Sequence, residues 1–238
     1  MKKIILFVSI SFIALTFSCD KVRNPIVHEY TDINESLLFG MSLDEYKANQ
    51  WPIFTQNSNT NVNVLIEDFT GHRCPNCPEA TEIVETIAAA HEGRVFLTCI
   101  HAGPNGNLEL QKYSEAPYTT NYTNPQGIEI AINLTSDEAV FNPFVCLNRK
   151  SYNGTKFPAD TYWDSHVSTI LSENSLKVNL QSSTHYFPET RGVILHTEVE
   201  LKEEITSDLY QVVYLIEDSM VSIQQTKSTW DPPYQDWN

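Results

Sequence analysis

The feature that most limits what this chain can fold into is a pair of cysteines three residues apart, Cys74 and Cys77, set between a β-branched run and a helical repeat. Val62, Val64, Leu65 and Ile66 form a short apolar run ending at Asp68-Phe69, the pattern of a strand buried on both faces of a sheet. The loop Thr70-Gly71-His72-Arg73 leads into Cys74-Pro75-Asn76-Cys77-Pro78. Ala80, Ile83, Val84, Ile87 and Ala88 then recur at helical spacing, with Glu79, Glu82 and Glu85 on other faces and Gly93 as a stop. Residues 94–101 read as the next strand. Strand, helix, strand is a βαβ unit, which predicts a parallel pair joined by a right-handed crossover.

Two thiols at i and i+3 can close a small disulfide, and a helix N-terminus offers free N–H groups and partial positive charge to a thiolate. Cys74, on the loop side, is then the nucleophile, and Cys77 resolves the mixed disulfide. Arg73 and His72 are expected to lower the pKa of Cys74, whereas Glu79 and Glu82 oppose that. The same pair also fits a structural staple of the helix start, or half of a metal site. A structural zinc needs four ligands, and no second Cys pair or His-x3-His is present, so no metal is assigned. No cofactor is called for either: nucleophile elbow, phosphate loop and dinucleotide fingerprint are all missing.

The N-terminus places this chemistry outside the cytoplasm. Lys2 and Lys3 precede an apolar run over residues 4–17, too short to span a bilayer, and Ser18 stands directly before Cys19. This resembles the bacterial lipobox, which implies lipidation of Cys19 and a membrane anchor, although Thr16 stands where that motif usually has Leu. A plain secretory signal is the alternative. Both put the chain where disulfides persist. Fifteen basic against thirty acidic residues give a net charge of −15, which argues against a nucleic-acid partner. Cys99 and Cys146 fall among apolar neighbours in strands and read as buried, inert thiols.

Residues 1–18 are thus a signal, and 19–60 a polar tether with a short helix near residues 43–49. Residues 61–174 form the α/β domain, interrupted at 102–137 by a segment rich in Gly, Pro, Asn and Tyr, with at most short helices. Tyr113, Tyr118 and Tyr122 within it are read as packing the insertion onto the domain, with a peptide or glycan groove as the alternative. A strand near 139–149, broken at its start by Pro143, precedes a helix from about Asp160 with Trp163, Val167, Ile170 and Leu171 on one face. From residue 175 to 238 the period becomes two, which predicts an antiparallel β domain with strands near 176–181, 193–201, 209–216 and 220–223.

A strand, then Cys-x-x-Cys at a helix start, then a strand resembles the thioredoxin pattern, and Asp68-Phe69 and Asn142-Pro143 stand where that family has its buried Asp-Phe pair and its cis-proline. The resemblance implies that Asp68 accepts the proton of Cys77, with Glu67 as the alternative. It also implies a cis Pro143 against the Cys pair, and Asn142, His72 and Arg73 about a bound substrate segment. In thioredoxin strand order Cys99 and Cys146 lie two strand spacings apart, roughly 9–10 Å, too far for a disulfide. Arg73 replaces the usual aromatic residue before the first Cys.

The longer segment Thr70-Gly71-His72-Arg73-Cys74-Pro75-Asn76-Cys77-Pro78, with His101-Ala102-Gly103 and Asn148-Arg149, resembles the family related to outer membrane protein twenty-eight. These are thioredoxin-like envelope lipoproteins of Gram-negative bacteria with a C-terminal β domain. That resemblance implies an Ig-like β-sandwich after the α/β domain, an outer-membrane lipid anchor, and protein thiols or disulfides as partners. Family members run on through a Tyr-x-His-x-His-type segment missing here, so the chain is expected to be truncated inside its β domain.

Overall fold

The computed structural model describes residues 34–218, 220–227 and the backbone of 234–237. The expected export signal, Cys19 and the tether up to residue 33 lie outside the described residues. Those described divide into two units: residues 34–53 with 183–196, and residues 54–182 with 197 onward.

In the second unit the apolar run becomes β1 (Val64–Thr70) and the helical repeat becomes α2 (Cys77–Ala90), α1 being Leu43–Asn49 of the other unit. β2 (Val95–His101) pairs in parallel with β1, from Val64 beside Val95 to Thr70 beside His101. Gly93, at φ +76°, makes the turn between α2 and β2. The insertion contains α3 (Pro125–Thr135), longer than anticipated. Its start is specified locally: the Asn124 side chain accepts from the Gly127 N–H, and Pro125 sits in the first turn, where no N–H is needed. β3 (Phe144–Leu147) runs antiparallel to β1, giving the sheet order β2-β1-β3. Cys99 and Cys146 therefore stand on strands either side of β1, and both are free.

Alternation along β1 sorts its side chains between two layers. Val64 and Ile66 join Ala80, Val84 and Ile87 of α2 and Trp163, Val167 and Ile170 of α4 (Trp163–Glu173). Phe69 lies on the other face with Ala131 and Leu134 of α3, and with Phe144. This is a mixed α/β arrangement with helices on both faces of a short sheet.

After α4, β4 (Val178–Phe187) and β5 (Gly192–Leu201) form a two-stranded sheet, and β6 (Ser222–Gln225) pairs with β7 (Tyr234–Trp237) in another. The strand expected at 209–216 is not formed. Leu209, Tyr210, Val212, Val213, Leu215 and Ile216 are all exposed, and the segment makes no ladder among the described residues. An apolar run alone does not make a strand, because its N–H and C=O groups need a neighbouring edge.

In the first unit, α1 is opened by a reciprocal cap: Ser42 Oγ accepts from the Glu45 N–H, and the Glu45 carboxylate accepts from the Ser42 N–H. The helix buries Tyr46 against Leu38 and Phe187, and Tyr46 Oη lies 2.8 Å from His196 Nε2. The helix expected near 43–49 within a tether is thus part of a packed unit.

Candidate functional site

Cys74 lies in the loop after β1, and Cys77 is the first residue of α2. They form a disulfide with Cα atoms 5.4 Å apart. The loop is a turn closed by the Cys74 N–H donating to the Gly71 carbonyl at 2.9 Å, and Pro78 falls in the first helical turn, where it costs no hydrogen bond. Both cysteines are only 1% exposed. Cys74 nonetheless lines a cavity of about 260 Å³ shared with Pro75, Asn76, Leu110, Phe141 and Asn142. A larger cavity, about 590 Å³, adjoins the first turn of α2 and is walled by Asn76, Ile83, Phe141, Pro143, Phe157 and Trp163. Phe141, 84% exposed, borders both.

The Asn142–Pro143 peptide is cis. Asn142 Nδ2 donates to the carbonyls of Phe69 at 2.9 Å and Ala102 at 3.0 Å, tying the ends of β1 and β2 to the proline loop. The side chain expected to face substrate thus has an anchoring role, while the residue still lines the cavity beside Cys74.

Asp68 and Glu67 point to opposite faces of β1, so only one of them looks toward α2. Asp68 is fully buried; its Oδ2 accepts from Thr81 Oγ1 at 2.7 Å, and its Oδ1 has no hydrogen-bond partner among the described residues. Thr81 follows Cys77 by one helical turn, so both stand on the α2 face that covers Asp68. Burial, reinforced by the charge of Glu85 and opposed by the Thr81 hydrogen bond, raises the Asp68 pKa from 3.8 to about 6. Glu67, the alternative acceptor, is occupied elsewhere. It takes two hydrogen bonds from Arg149, at 2.8 and 2.6 Å, and one from Tyr214 at 3.1 Å.

His72 departs from its expected electrostatic role. The side chain is buried, its Nε2 donates to the Lys112 carbonyl at 2.9 Å, and the ring packs against Tyr118 and Tyr122. Burial lowers its pKa below the ordinary value, so near neutral pH it carries no charge to favour a Cys74 thiolate. Arg73 pairs with Glu115, 3.8 Å away, with the guanidinium 5.3 Å above the Tyr118 ring. Tyr118 and Tyr122 are thus packing residues, as read from the sequence, whereas Tyr113 is exposed. Lys227 forms an ion pair with Glu79 in the first turn of α2, offsetting one of the carboxylates that oppose a thiolate there.

The insertion also holds the loop. Arg73 N–H donates to the Leu110 carbonyl at 3.1 Å, and Gln111 Nε2 donates to the Thr70 carbonyl at 2.6 Å. The approach is close enough that a Cβ on Gly71 would meet Gln111 Nε2 at 2.5 Å and the Leu110 carbonyl at 2.8 Å. Cys146 is buried as expected, but Cys99 is exposed along its residue surface. The Cys99 sulfur turns inward to 4.0 Å from Asp68 Oδ2, and desolvation followed by that carboxylate's charge pushes the thiol up to about 12. Neither free thiol is a nucleophile at neutral pH.

Thr81 was legible in principle from helical spacing after Cys77. Gln111 and Lys227 come from distant segments with no local signal. The fold and site define a mixed α/β chain with a Cys-x-x-Cys disulfide opening a helix. No family model and no curated protein matches the chain. Among solved structures it is similar to HBP35 of Porphyromonas gingivalis, at 17% identity and a TM-score of 0.38, over 54% of this chain and 38% of that one. It is similar also to a protein of Agrobacterium tumefaciens, at 17% identity and a TM-score of 0.38, over 52% of each chain. The chain therefore spans about half or less of the length of these structures.

Proposed function

We propose that the chain is a thioredoxin-like thiol–disulfide exchange protein of the Gram-negative envelope, anchored by lipid on Cys19 and related to the outer membrane protein twenty-eight family. The observation that carries the reading is a disulfide at a helix start whose Cys74 shares one cavity with the cis Asn142–Pro143 loop, while a carboxylate titrating near 6 lies beneath the helix. In the reduced protein the Cys74 thiolate attacks a substrate disulfide; one S–S bond breaks, another forms, and a substrate thiolate leaves. Cys77 gives its proton toward Asp68 and attacks Cys74 Sγ, releasing the second substrate thiolate. Two electrons pass to the substrate, and the protein is left with the disulfide seen here. The steps run backwards when the substrate is a dithiol.

An extended protein segment is the substrate class that the two cavities suit, with an apolar side chain against Phe141, Phe157 and Trp163. The antiparallel segments after α4 are read as part of an Ig-like domain. Cys74→Ser should abolish insulin-disulfide reduction driven by a dithiol, and retained turnover would sink the proposal. A second reading is favoured by the 1% exposure of both cysteines: a staple in a non-enzymatic surface lipoprotein that binds a protein or glycan partner. That reading predicts negligible alkylation of Cys74 under mild reductant.

A further inference from the structure

The carbonyls around Cys74 are held by a segment about 150 residues further along the chain. Gln224 Nε2, on β6, donates to the Cys74 carbonyl at 2.9 Å and to the Gly71 carbonyl at 3.1 Å. The next residue, Gln225, donates its backbone N–H to the His72 carbonyl at 2.8 Å. Thr226 is buried, and Lys227 reaches Glu79. We infer that Gln224 is a positioning residue for the Cys74–Cys77 pair, fixing the peptide groups around the exchanging thiol. This rests on the exchange reading above.

The physical argument is one of orientation. The Gly71 carbonyl already accepts from the Cys74 N–H, and the Cys74 carbonyl accepts from the Cys77 N–H at 3.3 Å. The side-chain amide of Gln224 bridges these two acceptors and so locks the peptide planes before and after the thiol. With both carbonyls accepting from Gln224, their negative ends are compensated by an N–H₂ donor, which weakens the repulsion they exert on a thiolate at Cys74. Without that donor the Cys74 carbonyl is held only by the 3.3 Å contact, and the planes turn more freely. The insertion grips the same loop through Leu110 and Gln111, but its contacts fall on Arg73 and Thr70. Among the described residues, Gln224 is the side chain that donates to the Cys74 peptide carbonyl.

The test uses the full chain, reduced with a phosphine, and follows iodoacetamide alkylation of Cys74 against pH by mass spectrometry. Gln224→Met keeps the length of the side chain and removes the donor. Its alkylation midpoint should move up by roughly half a pH unit, about threefold slower labelling at neutral pH. Gln224→Glu sets a carboxylate against the two carbonyls and should move it by roughly one unit. Gln224 is half-buried on a short surface strand, so both variants keep the fold, checked by the far-UV spectrum and disulfide mapping after reoxidation. Profiles that overlay the unmutated chain overturn the inference. So does a shift in Gln224→Ala that Gln224→Met lacks, since that would mark simple packing. Because phosphine-reduced protein is labelled whether or not the pair exchanges with substrate, a failure here is distinct from a failure of the exchange reading, which glutathione equilibration of the unmutated chain tests.

Discussion

Asp68→Asn removes a carboxylate that the fold buries completely, and its effect follows from the titration. The unfolded group titrates near 3.8 and the folded one near 6, so the folded chain holds a proton through a range in which the unfolded chain has lost it. Stability associated with Asp68 is fully present below the unfolded value and is lost as pH rises toward and through the folded one. Integrating between those values gives a cost of about 1 kcal/mol at pH 4.5 and about 3 kcal/mol at pH 7.5. Asparagine keeps an oxygen to accept from Thr81 but leaves its N–H₂ without a partner, which takes back roughly 1 kcal/mol at either pH. The variant should therefore unfold at higher urea at pH 7.5, by about 2 kcal/mol, and match the unmutated chain near pH 4.5. Urea titrations of the oxidised proteins at the two pH values read this directly. A stability difference that does not change with pH, or a variant destabilised at pH 7.5, refutes the assignment of a strained buried carboxylate.

Other substitutions separate the roles of neighbouring residues. Under the proposed exchange reading, in which Asp68 takes the proton of Cys77, Asp68→Asn should also slow disulfide reduction by on the order of 10²-fold, measured by insulin turbidity; an unchanged rate would contradict that role. Glu67→Gln removes the charge that pairs with Arg149 and turns one acceptor oxygen into an N–H₂ facing the guanidinium, and should destabilise the fold by roughly 1–3 kcal/mol in urea, discounted for the partial exposure of Arg149; no loss would show that the pair is neutral. Gly71→Ala forces the loop away from Leu110 and Gln111 and should cost roughly 1–3 kcal/mol while raising proteolysis within 102–124. An unchanged proteolysis pattern would contradict the clamping role of the insertion.

The β1–α2–β2 unit was legible because its periods are unambiguous: a β-branched run, the cysteines, then apolar residues at helical spacing. α4 was legible from Trp163, Val167 and Ile170. α3 was hidden by the Gly, Pro and Asn residues around it, although Asn124-Pro125 is a sound helix start. At 209–216 the reverse happened, because Val212, Val213 and Leu215 satisfy strand propensity while only a neighbouring edge could have completed the strand. Within the site, the cysteines, Asp68 and Pro143 could be named from order along the chain. The neutral state of His72 depends on burial beneath Tyr118 and Tyr122, and the donor at Cys74 comes from Gln224; both are products of tertiary packing that no local pattern encodes.

The most direct test of the account is the reduction potential of the Cys74–Cys77 pair, by glutathione equilibration of the chain from Asp20 onward with mass-spectrometric mapping of the disulfide. Exchange chemistry predicts a value of roughly −120 to −270 mV, within reach of protein thiols and disulfides. A value below about −300 mV would contradict it, making the disulfide a permanent staple of the helix start.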